Sequence, residues 1–364
     1  MLTANQSRER RARLIAGFDS PRPIVLADPI HLSYFADAYV DPISISADFG
    51  ALLVIQPDGG TKLIHDHRAP KSLESAWVDE RIALPWYAGE TPGQGPRRLV
   101  LREALKEYGG RIHDSLADPD SQRLHELVAG MRRAKDADEI AMIRHCCEIA
   151  RAGFEWAAAN LRAGMTELDV YNGVFSACTT KAGNANVVYG DFAVSPGMNR
   201  KGGPPTRQVL GNGDLFILDY SVIIRGYRSD YTNTFCIGGQ PTAKQLEMYD
   251  LCHRAMAAGE SQLKAGASCQ TVYDSVMAVF DSAGLAANFP HHAGHGLGLT
   301  HPEAPFFVRK STETLVAGDV VTLEPGLYLD GHGGMRIEHN YAITPTGFEK
   351  LSSHVISPTG MGRS

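Results

Sequence analysis

Two apolar segments that each carry an aspartate, LFILD ending at Asp219 and DYTNTF beginning at Asp230, most constrain the fold of this chain. Each segment is typical of a strand, and a short reversal near Arg225-Gly226 would join them as a hairpin. Because side chains alternate along a strand, a two-residue or four-residue loop places both aspartates on one face, directly opposite or one diagonal apart. Like charges so placed repel each other. We therefore expect either a face open to water or a cation between the two carboxylates.

Three later segments carry further polar side chains. Residues 291–301 read HHAGHGLGLTH, which predicts a flexible segment whose glycines let backbone approach His295 closely. The motif VVTLEPG ends an apolar strand at Glu324, and the motif MRIE predicts Arg336 and Glu338 on one strand face. Taken singly, each of these segments is more readily explained by structure than by function.

Four carboxylates and one imidazole in this pattern share an electrostatic property. The carboxylates carry about −4, which two divalent cations would neutralise. Such a donor set suits Mn, Co, Fe or Zn better than copper, and the sequence does not choose among these metals. The candidate ligands are Asp219, Asp230, His295, Glu324 and Glu338.

Composition excludes several classes of protein. The chain has 364 residues, 43% of them hydrophobic, which is enough for two domains with sizeable cores. Lys and Arg number 35 against 41 Asp and Glu, so no basic surface for nucleic acid is expected. We find no apolar stretch of about 18 residues and no secretory leader pattern, which predicts a cytoplasmic protein without a membrane partner. The six cysteines lack C-x-x-C spacing and are expected to be free, buried thiols.

The pattern along the chain indicates two domains, at 1–134 and 135–364. The first has short apolar runs at 23–27, 51–55 and 62–65, each typical of a strand, and a helical segment over 97–108 that ends at two glycines. It is predicted to be an α/β domain.

The second domain begins near residue 135, where the pattern of apolar and polar residues changes. A capping box at Asp136 opens an amphipathic helix, and Thr166 opens another. From about residue 208 the pattern changes to strands and glycine-rich turns, so helices mixed with antiparallel sheet are expected.

The motifs LDYS-x8-SDYTNTF, HHAGHGLGL, TLEPGLY and RIEHNYAIT, in this order, resemble the creatinase/aminopeptidase family, especially Xaa-Pro dipeptidase (prolidase) and aminopeptidase P. The helix opening KDADEIAMIR resembles the start of that family's pita-bread catalytic domain, and residues 30–35 resemble a segment of its creatinase-like N-terminal domain. The resemblance covers essentially the whole chain. It implies a creatinase-like α/β domain followed by an α+β pita-bread catalytic domain.

The same resemblance assigns roles to the metal ligands. Asp230 and Glu338 would bridge two divalent metals, Asp219 would complete one site, and His295 with Glu324 would complete the other. The cofactor is thus two ions of Mn, Co, Zn or Fe, with manganese as one candidate.

Catalytic roles also follow from the resemblance. Glu324 is similar to the carboxylate that moves the proton, and His291 matches a histidine that stabilises the tetrahedral intermediate. Arg336 and His301 are further candidates for catalytic residues. Family members usually pair through the N-terminal domain, which implies a homodimer.

The departures from the family pattern concern the substrate side of the site. Pro302 stands where prolidases usually have a histidine, and His301 lies one residue earlier. Gly202 replaces another active-site histidine, Asn233 replaces an arginine, and His339 replaces an aspartate. These changes leave the ligand set intact and the substrate open.

The function predicted from the sequence is a dinuclear metal hydrolase that cleaves a peptide or amide bond in a small substrate, most readily before proline. A second hypothesis keeps the fold but changes the substrate to a small non-peptide amide or C–N bond, as in creatinase and ectoine hydrolase, or to a metal-dependent lyase reaction. A third hypothesis is a metal-free binding module, but the presence of all five candidate ligands argues against it.

Overall fold

The structure is a computed structural model that describes residues 2–44, 50–93 and 95–359. The chain divides into two compact units, Met1–Arg132 and Arg133–Ser364. Among the described residues, no helix combines the length and the apolar character needed to cross a membrane.

The first unit combines helices with one four-stranded sheet, as an α/β domain should. Its helices are α1 (Ala4–Phe18), α2 (Pro29–Ala36), α3 (Leu101–Glu107) and α4 (Ser121–Arg133), and its strands are β1 (Ile24–Leu26), β2 (Ala51–Ile55), β3 (Thr61–Asp66) and β4 (Glu80–Leu84). The strands lie in the order β1-β2-β3-β4, antiparallel except for the parallel pair β3 and β4. Short 3-10 turns cover Lys71–Ser75 and Arg97–Val100. The three predicted strands are confirmed.

The predicted helix over 97–108 is correct only in its second half. Residues Arg97–Val100 form a 3-10 turn directly after Pro96, and the α-helix begins at Leu101. No side chain caps the start of this helix. The residues around it therefore lack the capping interactions that would begin an α-helix at 97.

The second unit contains helices packed on antiparallel sheets. Its helices are α5 (Ala137–Asn160), α6 (Glu167–Ala182), α7 (Ala243–Glu260) and α8 (Cys269–Ser282), with a 3-10 turn at Ala286–Asn288. The predicted capping boxes are present, since the Asp136 amide donates to Glu139 Oε2 at 3.0 Å and the Thr166 amide donates to Asp169 Oδ2 at 2.8 Å. Both helices begin where the sequence predicts.

The strands of this unit form three antiparallel groups. They are β5 (Val187–Val194), β6 (Leu215–Ile224), β7 (Tyr227–Arg228), β8 (Tyr231–Cys236), β9 (Gly294–Gly296), β10 (Glu303–Phe307), β11 (Val320–Leu323), β12 (Gly326–Leu329), β13 (Gly333–Arg336), β14 (His339–Ile343) and β15 (Phe348–Lys350). One sheet has the order β5-β6-β7, with β8 also paired to β6. A second has the order β10-β9-β11-β14-β15, and β12 pairs with β13. Sheet structure begins at β5, earlier than the predicted change near 208.

Helices cover the sheets and bury the core of the second unit. Apolar residues of α7 and α8, including Met248, Cys252 and Val276, form one buried cluster with residues of β11 and β14. On the other sheet, Phe154 of α5 stacks on Tyr220 and on neighbouring Tyr231. All six cysteines are free and buried, as predicted.

Candidate metal centre

The hairpin formed by β6, β7 and β8 places the two aspartates of the site. Ile224 pairs with Tyr227 around the two-residue reversal at Arg225-Gly226, where both residues have positive φ. Asp219 pairs with Thr232 in the same register, so Asp230 falls one diagonal from it on the same face. The predicted geometry of the hairpin is confirmed.

His295 lies at the centre of β9, a strand buried between β10 and β11. The expectation of a flexible glycine-rich segment is therefore wrong. A Cβ atom at Gly296 would lie 2.1 Å from the Ala304 carbonyl oxygen, and one at Gly294 would lie 2.2 Å from that of Thr322. The glycines serve close strand packing, which fixes the imidazole in place.

The His295 ring is oriented by the backbone. Its Nδ1 lies 2.8 Å from the Gly296 carbonyl oxygen, which makes Nδ1 the donor and leaves the Nε2 lone pair free. Nε2 lies 3.5 Å from Asp230 Oδ2 and 3.6 Å from Glu324 Oε1. This is the tautomer and direction that a ligand histidine requires.

Glu324 follows the end of β11, as predicted, whereas Arg336 and Glu338 do not share a strand. Arg336 ends β13, and Glu338 lies in a short connection before β14. There the Glu338 amide donates to the Thr232 carbonyl at 3.1 Å, because the chain passes beside β8 on its way from one sheet to another. The prediction of one strand face is wrong, yet both side chains still reach the site.

The five candidate ligands come together, with two additional histidines, in overlapping groups whose ligand atoms lie within 4.8 Å of one another. The groups are Asp219 with Asp230 and Glu338; His292 with His295 and Glu324; and Asp230 with His295 and His301. Hydroxyl groups support the carboxylates, since Thr232 Oγ1 donates to Glu338 Oε2 at 2.6 Å. Each group contains enough donors for one side of a metal site.

The electrostatics of this cluster fit bound cations. Burial, with the neighbouring aspartates, raises the pKa of Glu338 well above its usual range. Burial also raises the pKa of Asp219 to about 7, against the lowering effect of Arg336. Burial would raise the pKa of Glu324 as well, but the hydrogen bond from His292 and the nearby histidines hold it well below its usual range. Buried carboxylates crowded in this way are stabilised when cations compensate their charge, so this donor set fits divalent metal ions.

Arg336 is a buried connector between two carboxylates. Asp191 of β5 pairs directly with Asp219 of β6, which would set two like charges side by side. The Arg336 guanidinium donates from Nη2 to Asp219 Oδ2 at 2.5 Å and to Asp191 Oδ2 at 2.6 Å. Its Nε also donates to Asp219, and Nη1 donates to the Lys201 carbonyl and to Tyr328 Oη. These contacts occupy all five N–H donors and hold the Asp219 carboxylate in place, while the catalytic role of Arg336 stays a prediction.

His291 has protein partners at both ring nitrogens. Nδ1 lies 2.8 Å from the His292 carbonyl oxygen, and Nε2 lies 3.1 Å from Tyr328 Oη, which also accepts from Arg336. Burial lowers the pKa of His291 to about 4, so the ring is neutral at physiological pH. The structure thus places His291 in a hydrogen-bonded chain that ends on Arg336.

His301 faces the open side of the site. Its Nε2 lies 2.8 Å from Asp230 Oδ2, and its side chain is 30% exposed. It lines a pocket of about 620 Å³ together with Asp219 and Asp230. Although burial lowers the pKa of His301, its contact with Asp230 raises it overall. His301 is thus the imidazole that the pocket presents beside the candidate ligands.

The residues that depart from the family pattern make specific contacts in this structure. Asn233 exchanges two hydrogen bonds with the backbone of Ser357, and His339 Nδ1 lies 2.7 Å from Ser352 Oγ. At Gly202, a Cβ atom would lie 1.8 Å from Asp191 Oδ2. Asn233 and His339 thus bind the C-terminal segment at Ser357 and Ser352, whereas Gly202 leaves space for the Asp191 carboxylate.

Three residues of the site escape the sequence reasoning. His292 lies 3.0 Å from Glu324 Oε1, and the doubled histidine at 291–292 was a usable signal. Tyr328, the last residue of the motif TLEPGLY, and Asp191, which belongs to no motif, both contact Arg336. Only the pairing of β5 with β6 reveals Asp191.

Comparisons with known proteins show the family of this chain. Residues 141–345 match metallopeptidase family M24. An uncharacterized peptidase of Staphylococcus saprophyticus is 33% identical over 260 residues, which is 70% of this chain and 70% of that protein. An uncharacterized peptidase of Staphylococcus aureus is 32% identical over 62% of this chain and 64% of that protein.

Solved structures share the fold along nearly the whole chain. The Xaa-Pro dipeptidase from Bacillus anthracis is 25% identical, with a TM-score of 0.77, over 96% of this chain and 99% of that one. The X-Pro aminopeptidase from Thermotoga maritima is 21% identical, with a TM-score of 0.79, over 96% of this chain and 98% of that one. The fold and the carboxylate-rich site define a metallopeptidase of the pita-bread architecture. The chain belongs to metallopeptidase family M24.

Proposed function

We propose that this protein is a dinuclear metal-dependent peptidase that cleaves the bond before proline in short peptides, in the manner of an Xaa-Pro dipeptidase or an aminopeptidase P. The observation that carries the proposal is the convergence of four carboxylates and one imidazole, from separate strands and connections, in overlapping groups of ligand atoms. Two of these carboxylates, Asp219 and Asp230, line a pocket. The likeness to the Xaa-Pro dipeptidase from Bacillus anthracis supports the substrate. The proposal includes a homodimer.

In this proposal the ligand residues divide into two sets. Asp219, Asp230 and Glu338 would hold one ion, and His295 with Glu324 would complete a second site that shares Asp230 and Glu338. Two divalent cations bound there supply polarisation of the scissile carbonyl and acidification of a water molecule.

The protein's own groups complete the chemistry. Glu324 is similar to the carboxylate that moves the proton in this family, and in this proposal it accepts a proton from water and passes it to the leaving amine. His301 lines the pocket and is the imidazole placed to donate a hydrogen bond to a substrate carbonyl as negative charge develops on it. His291, whose Nε2 lies 3.1 Å from Tyr328 Oη, would stabilise the tetrahedral intermediate, as the resemblance implies.

The test combines metal analysis with a substrate screen. Purified protein, loaded with Mn, Co, Zn or Fe in turn, is assayed on Xaa-Pro dipeptides, Xaa-Pro-containing tripeptides and small non-peptide amides. Asp230→Asn should abolish turnover and lower the bound metal while circular dichroism stays native, because an amide cannot replace a charge shared by two cations. Asp281→Asn, on the exposed side of α8, is the matched control and should keep full activity.

Two results would contradict the proposal. Full activity in Asp230→Asn would exclude the dinuclear site. Turnover of non-peptide amides without any cleavage of proline peptides would favour the creatinase-like alternative.

A further inference from the structure

The pocket beside the candidate ligands is acidic on its substrate side. Its lining residues include Asp191, Asp219 and Asp230, with His301 as the one imidazole, and contain neither lysine nor arginine among the residues that the structure describes. Asp191 is not a member of the candidate ligand groups. Its side chain is 32% exposed, so this carboxylate is in reach of a bound substrate.

Two guanidinium groups, those of Arg336 and Arg228, donate hydrogen bonds to residues that line the pocket. All five N–H donors of Arg336 have partners, two of them carboxylates. Arg228 donates from Nη1 to Tyr189 Oη at 2.9 Å and from Nη2 to the Leu299 carbonyl at 3.1 Å. Arg336 therefore has no donor left for a substrate carboxylate. Arg228 Nε is buried without a hydrogen-bond partner, but Arg228 does not line the pocket.

Charge balance leads to the same conclusion. In the proposed metal-loaded enzyme, the four ligand carboxylates cancel the charge of two divalent cations, and Asp191 cancels Arg336. Among the residues that line the pocket, His301 is then the only basic side chain left for an anionic group of the substrate. A substrate carboxylate would instead meet the exposed edge of Asp191 and pay a desolvation cost without a compensating partner.

The position of the Asp191 carboxylate depends on the absence of a side chain at Gly202. A Cβ atom at position 202 would overlap Asp191 Oδ2 at 1.8 Å, and the Gly203 amide donates to Asp191 Oδ1 at 2.9 Å. A side chain at 202 and the observed position of the Asp191 carboxylate therefore exclude each other. In this chain a carboxylate occupies the place where an imidazole would otherwise project.

The Asp191 carboxylate should affect dipeptides in particular, because a dipeptide is too short to hold its own carboxylate far from the scissile bond. Because Asp191 pairs directly with Asp219 across the sheet, their Cβ atoms lie about 5 Å apart. The free carboxylate of an Xaa-Pro dipeptide lies one residue, about 3.8 Å of backbone, beyond the scissile bond. It cannot leave the region where Asp191 acts, whereas the carboxylate of a longer peptide can.

We propose that Asp191 is a specificity-determining residue that makes the site select proline peptides whose proline carboxyl group is blocked, by a further residue or an amide, over free dipeptides. This inference rests on the proposed function and names the substrate class of the same site. The recognised chemistry is a neutral carbonyl group after the proline ring. A free carboxylate at that position is disfavoured.

The experiment compares two substrates of the same size on the metal-loaded enzyme. Ala-Pro with a free carboxylate and Ala-Pro carboxamide differ in one charge, and their kcat/KM values are measured side by side, with Ala-Pro-Ala as a longer substrate. We expect the carboxamide and the tripeptide to exceed the free dipeptide by about tenfold or more, which is the size of one unfavourable charge contact in a partly screened site.

The variant Asp191→Asn separates specificity from structure. The amide has the same size and removes the charge, so the ratio of carboxamide to free dipeptide should fall at least threefold towards unity. If Asp191 only supported Arg336, both substrates would lose activity equally and the ratio would not move. Asp274→Asn, exposed on α8, should leave both rates and their ratio unchanged.

The outcomes distinguish this inference from the function on which it rests. Equal or faster cleavage of the free dipeptide by the wild-type enzyme would overturn the role of Asp191 and leave the peptidase intact. An unchanged ratio in Asp191→Asn would overturn it as well. Turnover of neither substrate would remove the proposed function, and this inference with it.

Discussion

The buried carboxylate of Glu167 provides a strong test of how the pocket is built. Glu167 begins α6, is fully buried and accepts five hydrogen bonds. Oε1 accepts from the Val194 amide and Arg200 Nη1, and Oε2 accepts from Arg200 Nη2 and from the amide and hydroxyl of Thr206. These bonds fasten both ends of the segment between Val194 and Thr206. That segment carries Pro204 and Pro205, which line the pocket.

The isosteric change Glu167→Gln should lower the free energy of unfolding by an amount that follows from this geometry. Whichever oxygen becomes the amide nitrogen, at least two donors then face another donor. Each buried donor left without an acceptor costs about 1–3 kcal/mol, and the Arg200 contribution is smaller because its side chain is 28% exposed. We expect a loss of about 3–5 kcal/mol in the free energy of unfolding.

Calorimetry and steady-state kinetics measure the two consequences. For a unit of this size, about 2–4 °C of Tm per kcal/mol predicts a fall of about 6–20 °C in the transition of the second unit. KM for a proline peptide should rise more than kcat falls, because the pocket wall loosens while the ligands stay in place. Thr206→Val removes only one of the five bonds and should cost about 1 kcal/mol. The reasoning would be refuted if Glu167→Gln lowered Tm no more than Thr206→Val does, with KM unchanged.

Two further predictions concern histidines. His301→Ala should lower kcat by about a hundredfold with metal content unchanged, as expected for a lost transition-state donor; a change of less than about twofold would mark it as a solvated loop residue. Burial lowers the pKa of His354 to about 4, so the folded protein favours the neutral form of this ring. The resulting contribution to the free energy of unfolding, about 3 kcal/mol, is complete above pH 6.5 and is lost as pH falls from 6.5 towards 4. In His354→Phe that part of the acid-induced loss should disappear from urea unfolding curves recorded across this range, and parallel curves for both proteins would contradict the assignment.

Features that depend on neighbours in sequence were predictable. The diagonal placement of Asp219 and Asp230 follows from strand alternation and a short reversal, and the capping boxes at Asp136 and Thr166 follow from residues three positions apart. In each case the interacting groups belong to one local element. The physical rule therefore acts on the sequence directly.

Features that depend on pairing between distant segments were not predictable in the same way. The glycines beside His295 predict a close approach of backbone, but the fold alone reveals that the carbonyl groups approaching them belong to two neighbouring strands. The connection that separates Arg336 from Glu338 exists because the chain passes from one sheet to another beside β8. Asp191 acquires its place opposite Asp219 only through the register of β5 on β6.

The wide spacing of the candidate ligands along the chain has a consequence for how fast ions exchange. The hairpin supplies Asp219 and Asp230, whereas His295, Glu324 and Glu338 come from the second sheet and its connections. Ions held between these segments would join the two sheets, whereas the pocket lined by Asp219 and Asp230 gives the ions a direct path to solvent. A chelator should therefore remove the metal faster than local opening separates the two sheets.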